Sequence, residues 1–252
     1  MANEGTGRRP KYQRIAAELR TAIQAGEYGP GDRLPGENEL MAAFDVARMT
    51  ARQALGVLQS EGLTEARKGS GVFVRSFRPL RRRSIPRLSE ETWGSGRSVW
   101  SADIEDRALT VDQVEVAERA APERVAHVLG MAPSATVCVR SRRFVLDGKP
   151  VQLSTSYLPA DLVAGSAIVQ ENTGPGGTYA RLAELGYKPV RFNEEIRCRM
   201  PSAEEAERLA LSLGTPVMHI CRAAFAEGGR AVEVNEMILD SASYVLEYEF
   251  GA

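Results

Sequence analysis

Apolar residues in the first sixty positions recur at helical spacing. Tyr12, Ile15, Ala16, Leu19 and Ile23 fall three and four apart, the stripe that one helix face buries, and Gly26 supplies the stop. Gly29-Pro30-Gly31-Asp32 is turn chemistry. Two more helices are predicted over 37–44 and 48–60, with Leu40, Ala43 and Phe44, then Ala51, Ala54, Leu55 and Leu58, turned inward. Asp45-Val46 leaves room only for a tight connection, and Gly62 ends the third helix. The period then changes. Residues 63–66 and 72–74 read as strands of a hairpin whose tip is Arg67-Lys68-Gly69-Ser70-Gly71. Three helices, a short turn between the second and third, and a two-stranded ribbon make the winged form of the helix-turn-helix.

Residues 75–109 have a different texture. Arg78, Arg81, Arg82 and Arg83 interleave with Pro79 and Pro86, and Ser/Gly/Glu-rich sequence follows. We read 77–98 as a linker, either a solvated tether or one that grazes nucleic acid, with a short initial strand over 99–103. Beyond it the pattern repeats loosely. A strand (111–118), a helix (121–129), a strand (136–146), the turn Asp147-Gly148 and a return strand (151–158) form the first copy. The second has a strand (192–199), a helix (203–213) opened by the capping box of Ser202 and Glu205, a strand (217–226), a turn at 227–229 and a return strand (231–239). A helix over 178–185 lies between. Two such halves join into one antiparallel sheet with helices packed on it, which makes the fold class α+β.

The domains are therefore 8–76, a linker at 77–98, and 99–250. Net charge over 252 residues is only −1, but it is divided. Residues 1–83 hold 15 Lys/Arg against 9 Asp/Glu, a charge of +6, and the rest carries −7. A basic head on an acidic body points to nucleic-acid binding by the head alone. Cys138, Cys198 and Cys221 are an odd number scattered through apolar segments, so they read as reduced, buried and structural. No apolar run is long enough to span a bilayer and the first ten residues have no export core, which places the protein in the cytoplasm without a membrane partner. With only His127 and His219, neither a multi-histidine metal site nor histidine-based catalysis is expected.

The stretch from Tyr12-Gln13-Arg14-Ile15-Ala16 through Pro30-Gly31-Asp32-Arg33-Leu34-Pro35, Glu39-Leu40 and 48–55 to Gly69-Ser70-Gly71-Val72-Phe73-Val74 resembles the DNA-binding domain of GntR-family transcription regulators. Arg142, Asp147-Gly148, Pro150, Ser156-Tyr157-Leu158-Pro159, Thr178-Tyr179 with Leu182, Glu195, Pro201-Ser202-Ala203 and Tyr244 resemble the UTRA effector-binding domain of the family's HutC branch, a fold similar to chorismate lyase. The resemblance implies a homodimer held by the second domain, a double-stranded operator with a GT/AC inverted repeat, and a small-molecule effector. It implies neither cofactor nor catalytic residues.

At the DNA end, Arg48 and Arg52 share a face of the third helix, where a guanidinium can donate two hydrogen bonds to guanine. Thr50 and Gln53 support them, Lys68 and Gly69 approach the backbone from the wing tip, and Arg33 and Tyr12 are candidate phosphate contacts. Two positions depart from the family. Ala47 replaces the usual Ser or Thr at the helix cap, and Asn38 stands where a basic residue is common. At the effector end, Arg140 and Arg142 lie two apart on one strand face. They either pair with Glu233 or Glu195 across the sheet, or await an anionic ligand. The resemblance adds Thr178, Tyr179, Glu236 and Tyr244 to the pocket. Phe144 replaces a second arginine of sugar-phosphate-binding relatives, and Trp93, Trp100 and Phe192 are either core or a cap over an apolar effector. The expected function is a repressor released from a palindromic operator by an effector through a population shift. Its alternatives are a ligand-independent regulator whose second domain only dimerises, and a chorismate-lyase-like enzyme.

Overall fold

The computed structural model describes residues 9–76, 79–97, 99–100, 104 and 107–249. They divide into two compact units after Arg78, with Ser212–Thr215 counted in the first.

The first unit is built as its apolar periodicity requires. Helices α1 (Lys11–Ala25), α2 (Glu37–Phe44) and α3 (Arg48–Ser60) are followed by a ribbon of β1 (Thr64–Arg67) and β2 (Gly71–Val74) in antiparallel register. Ile15, Ala16, Leu19, Leu40, Ala51, Ala54, Leu55 and Leu58 meet in one buried cluster, joined by Leu34 and Val74. Gly26 closes α1 at φ +81°, its N–H donating to the carbonyls of Ala22 and Ile23. Burying each of the Ile, Leu and Val side chains among these stabilises the fold by roughly 1.5–3 kcal/mol and fixes which face of α3 is left exposed.

The second unit opens with β3 (Leu80–Arg83), α4 (Ser84–Leu88) and α5 (Glu90–Gly94). Its sheet consists of β4 (Leu109–Ala120), β5 (Thr136–Leu146), β6 (Lys149–Pro159), β7 (Pro189–Arg199), β8 (Val217–Ala226) and β9 (Ala231–Asp240), in the order β4-β5-β6-β9-β8-β7 with every pair antiparallel. Each repeat contributes a three-stranded half and the return strands β6 and β9 join them, so the expected antiparallel α+β architecture is what the chain adopts. Asp147 and Gly148 take φ +50° and +78°, the paired left-handed turn that a two-residue hairpin needs. Helix α6 (Glu123–Leu129) packs on one sheet face, while α7 (Ala160–Val163) and α8 (Gly177–Glu184) lie with the core of the other.

Three expectations need correction. The helix expected over 203–213 ends early as α9 (Ala203–Arg208). Ala210 turns to φ +48° and Leu209 is fully buried while Leu213 is exposed, so the apolar stripe does not continue. The capping box of Ser202 and Glu205 forms as expected, with Glu205 also held by Arg199 at 2.6 Å. Residues 80–94, read as linker, are structured instead: β3 pairs in parallel with a strand absent from the sequence reading, β10 (Tyr244–Glu247). Strand alternation turns Leu80 and Arg82 inward and leaves Arg81 and Arg83 outside, where both meet Glu247. Cys198 is exposed on edge strand β7, so only Cys138 and Cys221 are buried. Most of the initial strand expected over 99–103 lies outside the described residues.

Arg82 is 1% exposed and bonds Glu194 through both terminal nitrogens. Burial raises the Glu194 carboxyl, but the hydrogen bonds and charge of Arg82, with Arg222, outweigh it and hold the group below its ordinary 4.5. A depressed acid contributes stability that is present above 4.5 and lost as pH falls through the lower folded value. Arg82→Gln is expected to cost about 3 kcal/mol by stranding a buried carboxylate. It should also flatten the acid-side decline of stability in chemical denaturation between neutral pH and pH 3.

Candidate functional site

Two surfaces carry the chemistry, one in each unit. In the first, the α2–α3 connection exposes the start of α3. Arg48 and Arg52 keep side-chain exposures of 59% and 61%, and Met49 between them is 60% exposed. Both arginines face Glu37 at the start of α2. Arg52 Nε donates to Glu37 Oε1 at 2.7 Å, Arg48 Nε lies 3.6 Å from Oε2, and Arg48 Nη2 donates to Asn38 Oδ1 at 2.9 Å. The hydrogen bond from Arg52 draws the Glu37 carboxyl below its usual range. Exposed ion pairs contribute little to stability, so Glu37 can align two guanidinium groups and release them to a stronger acceptor.

Thr50 is half-buried, whereas Gln53, Arg33, Lys68 and Gly69 are exposed. Arg33 bridges to Phe73 on the ribbon and lies against Gly71, where an added Cβ would stand 3.0 Å from Arg33 Nε. Arg67 folds back over the Phe73 ring at 4.3 Å and pairs with Glu65 at 2.9 Å, leaving Lys68 at the wing tip. The sequence reading missed Glu37, although an acidic residue in the first turn of the preceding helix was its visible signal. Ala47 caps α3 with no side-chain hydrogen bond.

In the second unit a cavity of about 180 Å³ opens between the sheet and the N-terminal end of α8. Arg142, Thr178 and Tyr179 line it, together with Trp100, Phe144, Arg222 and Glu233. Gly176 shapes the approach to α8 at φ +78°, where an added Cβ would come within 2.5 Å of Ala180 Cβ and 2.6 Å of the Trp93 carbonyl oxygen. Arg140 shares the face of Arg142 but not the cavity: its guanidinium donates to the carbonyls of Ile168, Gln170 and Glu171. Period-two alternation along β9 puts Glu233 and Asn235 on the cavity side and Glu236 on the other, beside Tyr157. Burial, reinforced by Glu236, pushes the Tyr157 phenol up to about 12. Tyr244 is buried edge-on to Trp100 at 6.2 Å and is not among the lining residues. Trp93 is core, and Phe192 packs against Tyr179 at 5.3 Å.

Neither expected ion pair forms for Arg142. Its Nη2 donates to Ser156 Oγ at 3.1 Å, and Glu195 pairs with Arg124 instead. Burial, with Arg140 adding like charge, lowers Arg142 to about 10, so it stays protonated at neutral pH. Burial opposes the charge of Arg222 as well, but Tyr179, Glu233 and Glu194 outweigh it and its value rises. Arg222 and Glu233 were not foreseen as lining the cavity. A lone arginine in the apolar run of β8 and an acid in that of β9 were the available signals.

Among the described residues no helix is long and apolar enough to cross a membrane, and no cluster of His, Cys, Asp or Glu is arranged to hold a metal. Residues 11–74 match the family model for bacterial regulatory proteins of the gntR family, and residues 105–244 match that of the UTRA domain. An HTH-type transcriptional regulator of Streptomyces coelicolor is 32% identical over 96% of this chain and 93% of its own. The HTH-type transcriptional repressor NagR of Bacillus subtilis is 28% identical, covering 89% and 88%. The crystal structure of PhnF from Mycobacterium smegmatis superposes with a TM-score of 0.59 at 26% identity, over 94% of this chain and 99% of that one.

Two substitutions test these local geometries. Ala47→Ser restores the missing cap oxygen and should stabilise the chain by about 1 kcal/mol in thermal denaturation. Gly176→Ala forces a Cβ into the backbone of Trp93 at a left-handed position and should lower stability by about 2 kcal/mol or more, read from the denaturant midpoint.

Proposed function

Because the chain belongs to the gntR family of bacterial regulatory proteins and carries a UTRA domain, we propose that this DNA-binding transcription regulator acts as a homodimeric repressor in the cytoplasm. It binds an inverted-repeat operator and leaves it when a small molecule occupies the cavity of the second unit. The observation that carries the reading is the pair of exposed arginines at the start of α3, aligned by one carboxylate beside a basic wing. In a helix-turn-helix these first two turns enter the major groove. Arg48 and Arg52 then read base edges, Thr50 and Gln53 support them, and Arg33, Lys68 and Gly69 contact the phosphate backbone.

One head reads few base pairs, so a twofold dimer on a palindrome supplies the specificity. The acidic second unit supplies control: a ligand that binds one global form better shifts the population, and a coupling of about 1–3 kcal/mol suffices. The cavity favours this over a second unit that serves dimerisation only. It is open, and its lining carries a part-buried guanidinium charge with no carboxylate bonded to it, at Arg142.

Arg52→Ala should weaken operator binding by about 5- to 150-fold, equivalent to about 1–3 kcal/mol, with an unchanged circular dichroism spectrum. Gel retardation on fragments selected by the native chain measures it, and unaltered affinity would remove Arg52 from the interface. In a thermal-shift screen of metabolites, the effector is the compound that both stabilises the chain and releases the operator. A screen with no such compound would favour the ligand-independent regulator.

A further inference from the structure

We infer that the cavity takes a small planar monocarboxylate, its acid group held between the guanidinium groups of Arg142 and Arg222 and its flat body laid on the Trp100–Phe144 stack. This rests on reading the cavity as the effector site and names the chemistry of what enters it.

Unused hydrogen-bonding capacity is the first argument. Arg222 is 4% exposed, and its Nε and Nη1 make no hydrogen bond of ordinary geometry; the same holds for Arg142 Nε, Thr178 Oγ1 and Glu233 Oε2. Stranded buried donors cost about 1–3 kcal/mol each. Donors gathered around one cavity are relieved together by an acceptor-rich ligand. The N-terminal end of α8 adds its partial positive charge at the same place.

Charge sets the valence. Arg82 is matched by Glu194, and Arg140 is spread over three carbonyls. Glu194 lies 3.8 Å from Arg222, an ion pair without a hydrogen bond, and its charge is shared with Arg82. Glu233 is then the one carboxylate of the lining against both Arg142 and Arg222, an excess of one positive charge that a monoanion neutralises. A dianionic phosphate ester would bring its second charge beside Glu233, where low dielectric makes repulsion expensive. Glu233 Oε2 is instead an acceptor for a hydroxyl or N–H of the ligand.

Shape sets the body. Trp100 and Phe144 are stacked 4.2 Å apart at 15°, and both line the cavity. Flat apolar groups gain from offset stacking on such a surface. At about 180 Å³ the space is smaller than the roughly 300–1,000 Å³ of drug-sized sites, which suits one ring with its substituents.

Three probes separate charge from flatness on the full chain, followed by tryptophan fluorescence and calorimetry. They are 3-hydroxybenzoate, cyclohexanecarboxylate with the same acid and no flat ring, and phenyl phosphate with the ring and a second charge. We expect 3-hydroxybenzoate to bind at least tenfold tighter than either. Arg222→Gln should weaken it at least tenfold and Arg222→Lys should recover part of the loss, with melting temperatures showing that each variant is folded. The clamp is overturned if phenyl phosphate or cyclohexanecarboxylate binds as well, if Arg222→Gln changes nothing, or if 3-hydroxybenzoate fails to bind at millimolar concentration. Should Arg222→Gln not fold, Phe144→Leu decides: loss of the lead over cyclohexanecarboxylate supports the stack, and an unchanged ratio overturns it. Binding that leaves operator affinity untouched upholds the clamp and refutes effector control. Operator release that requires Arg142 but ignores Arg222 refutes the clamp alone.

Discussion

Taking a guanidinium out of water is among the most expensive acts a fold can perform, and the second unit does so at Arg82, Arg87, Arg140 and Arg222, and in part at Arg142. Four of these arginines resolve the cost in different ways. Arg82 takes a bidentate carboxylate, and Arg140 takes three backbone carbonyls from the turn after α7. Arg142 takes a single serine hydroxyl, and Arg222 relies on the charges of Glu194 and Glu233 without closing a hydrogen bond to either. The first two are struts, because every bond they make is spent within the protein. The other two are left short of acceptors, and they line the cavity. Nε lacks a hydrogen bond in all four, so what distinguishes structure from site here is how far the terminal guanidinium nitrogens are bonded.

The first unit uses the same side chain in the opposite way. Arg48 and Arg52 remain in water and are only aligned by Glu37, at small energetic cost. On the proposed reading, an arginine that exchanges its partner for a base edge is not deeply committed beforehand, whereas one that holds a strand is. The apolar cluster beneath α3 makes this possible, since burial of one helix face fixes the direction of the other. In the second unit one carboxylate, Glu194, meets both β3, the strand that follows the head in sequence, and Arg222 at the cavity wall. A charge placed against Arg222 therefore alters the field at the group that anchors β3.

Period and turn chemistry made much of this legible in advance. The 3.6-residue stripe of α1, the short link before α3, the hairpin at Asp147-Gly148, the capping box at Ser202 and the doubled strand pattern all follow from local rules, and the α+β architecture follows from their order. The exposed arginines of α3 were readable for the same reason: a helix with one apolar face must present the other.

Contacts between distant segments were decided only by the folded chain. Pairing of β3 with β10 brings residues more than 160 positions apart together, and no local signal in Leu80–Arg83 distinguishes a strand from a basic tether. Arg222 and Glu233 became cavity residues, and Arg140 and Glu236 did not, because sheet order and strand alternation settle which side chains meet around α8. The sequence by itself determined the elements, their faces and the division of charge, since those depend on neighbours within a few residues. Tertiary structure alone decided which buried charges found enough partners, because the acceptors that satisfy or starve them come from remote parts of the chain.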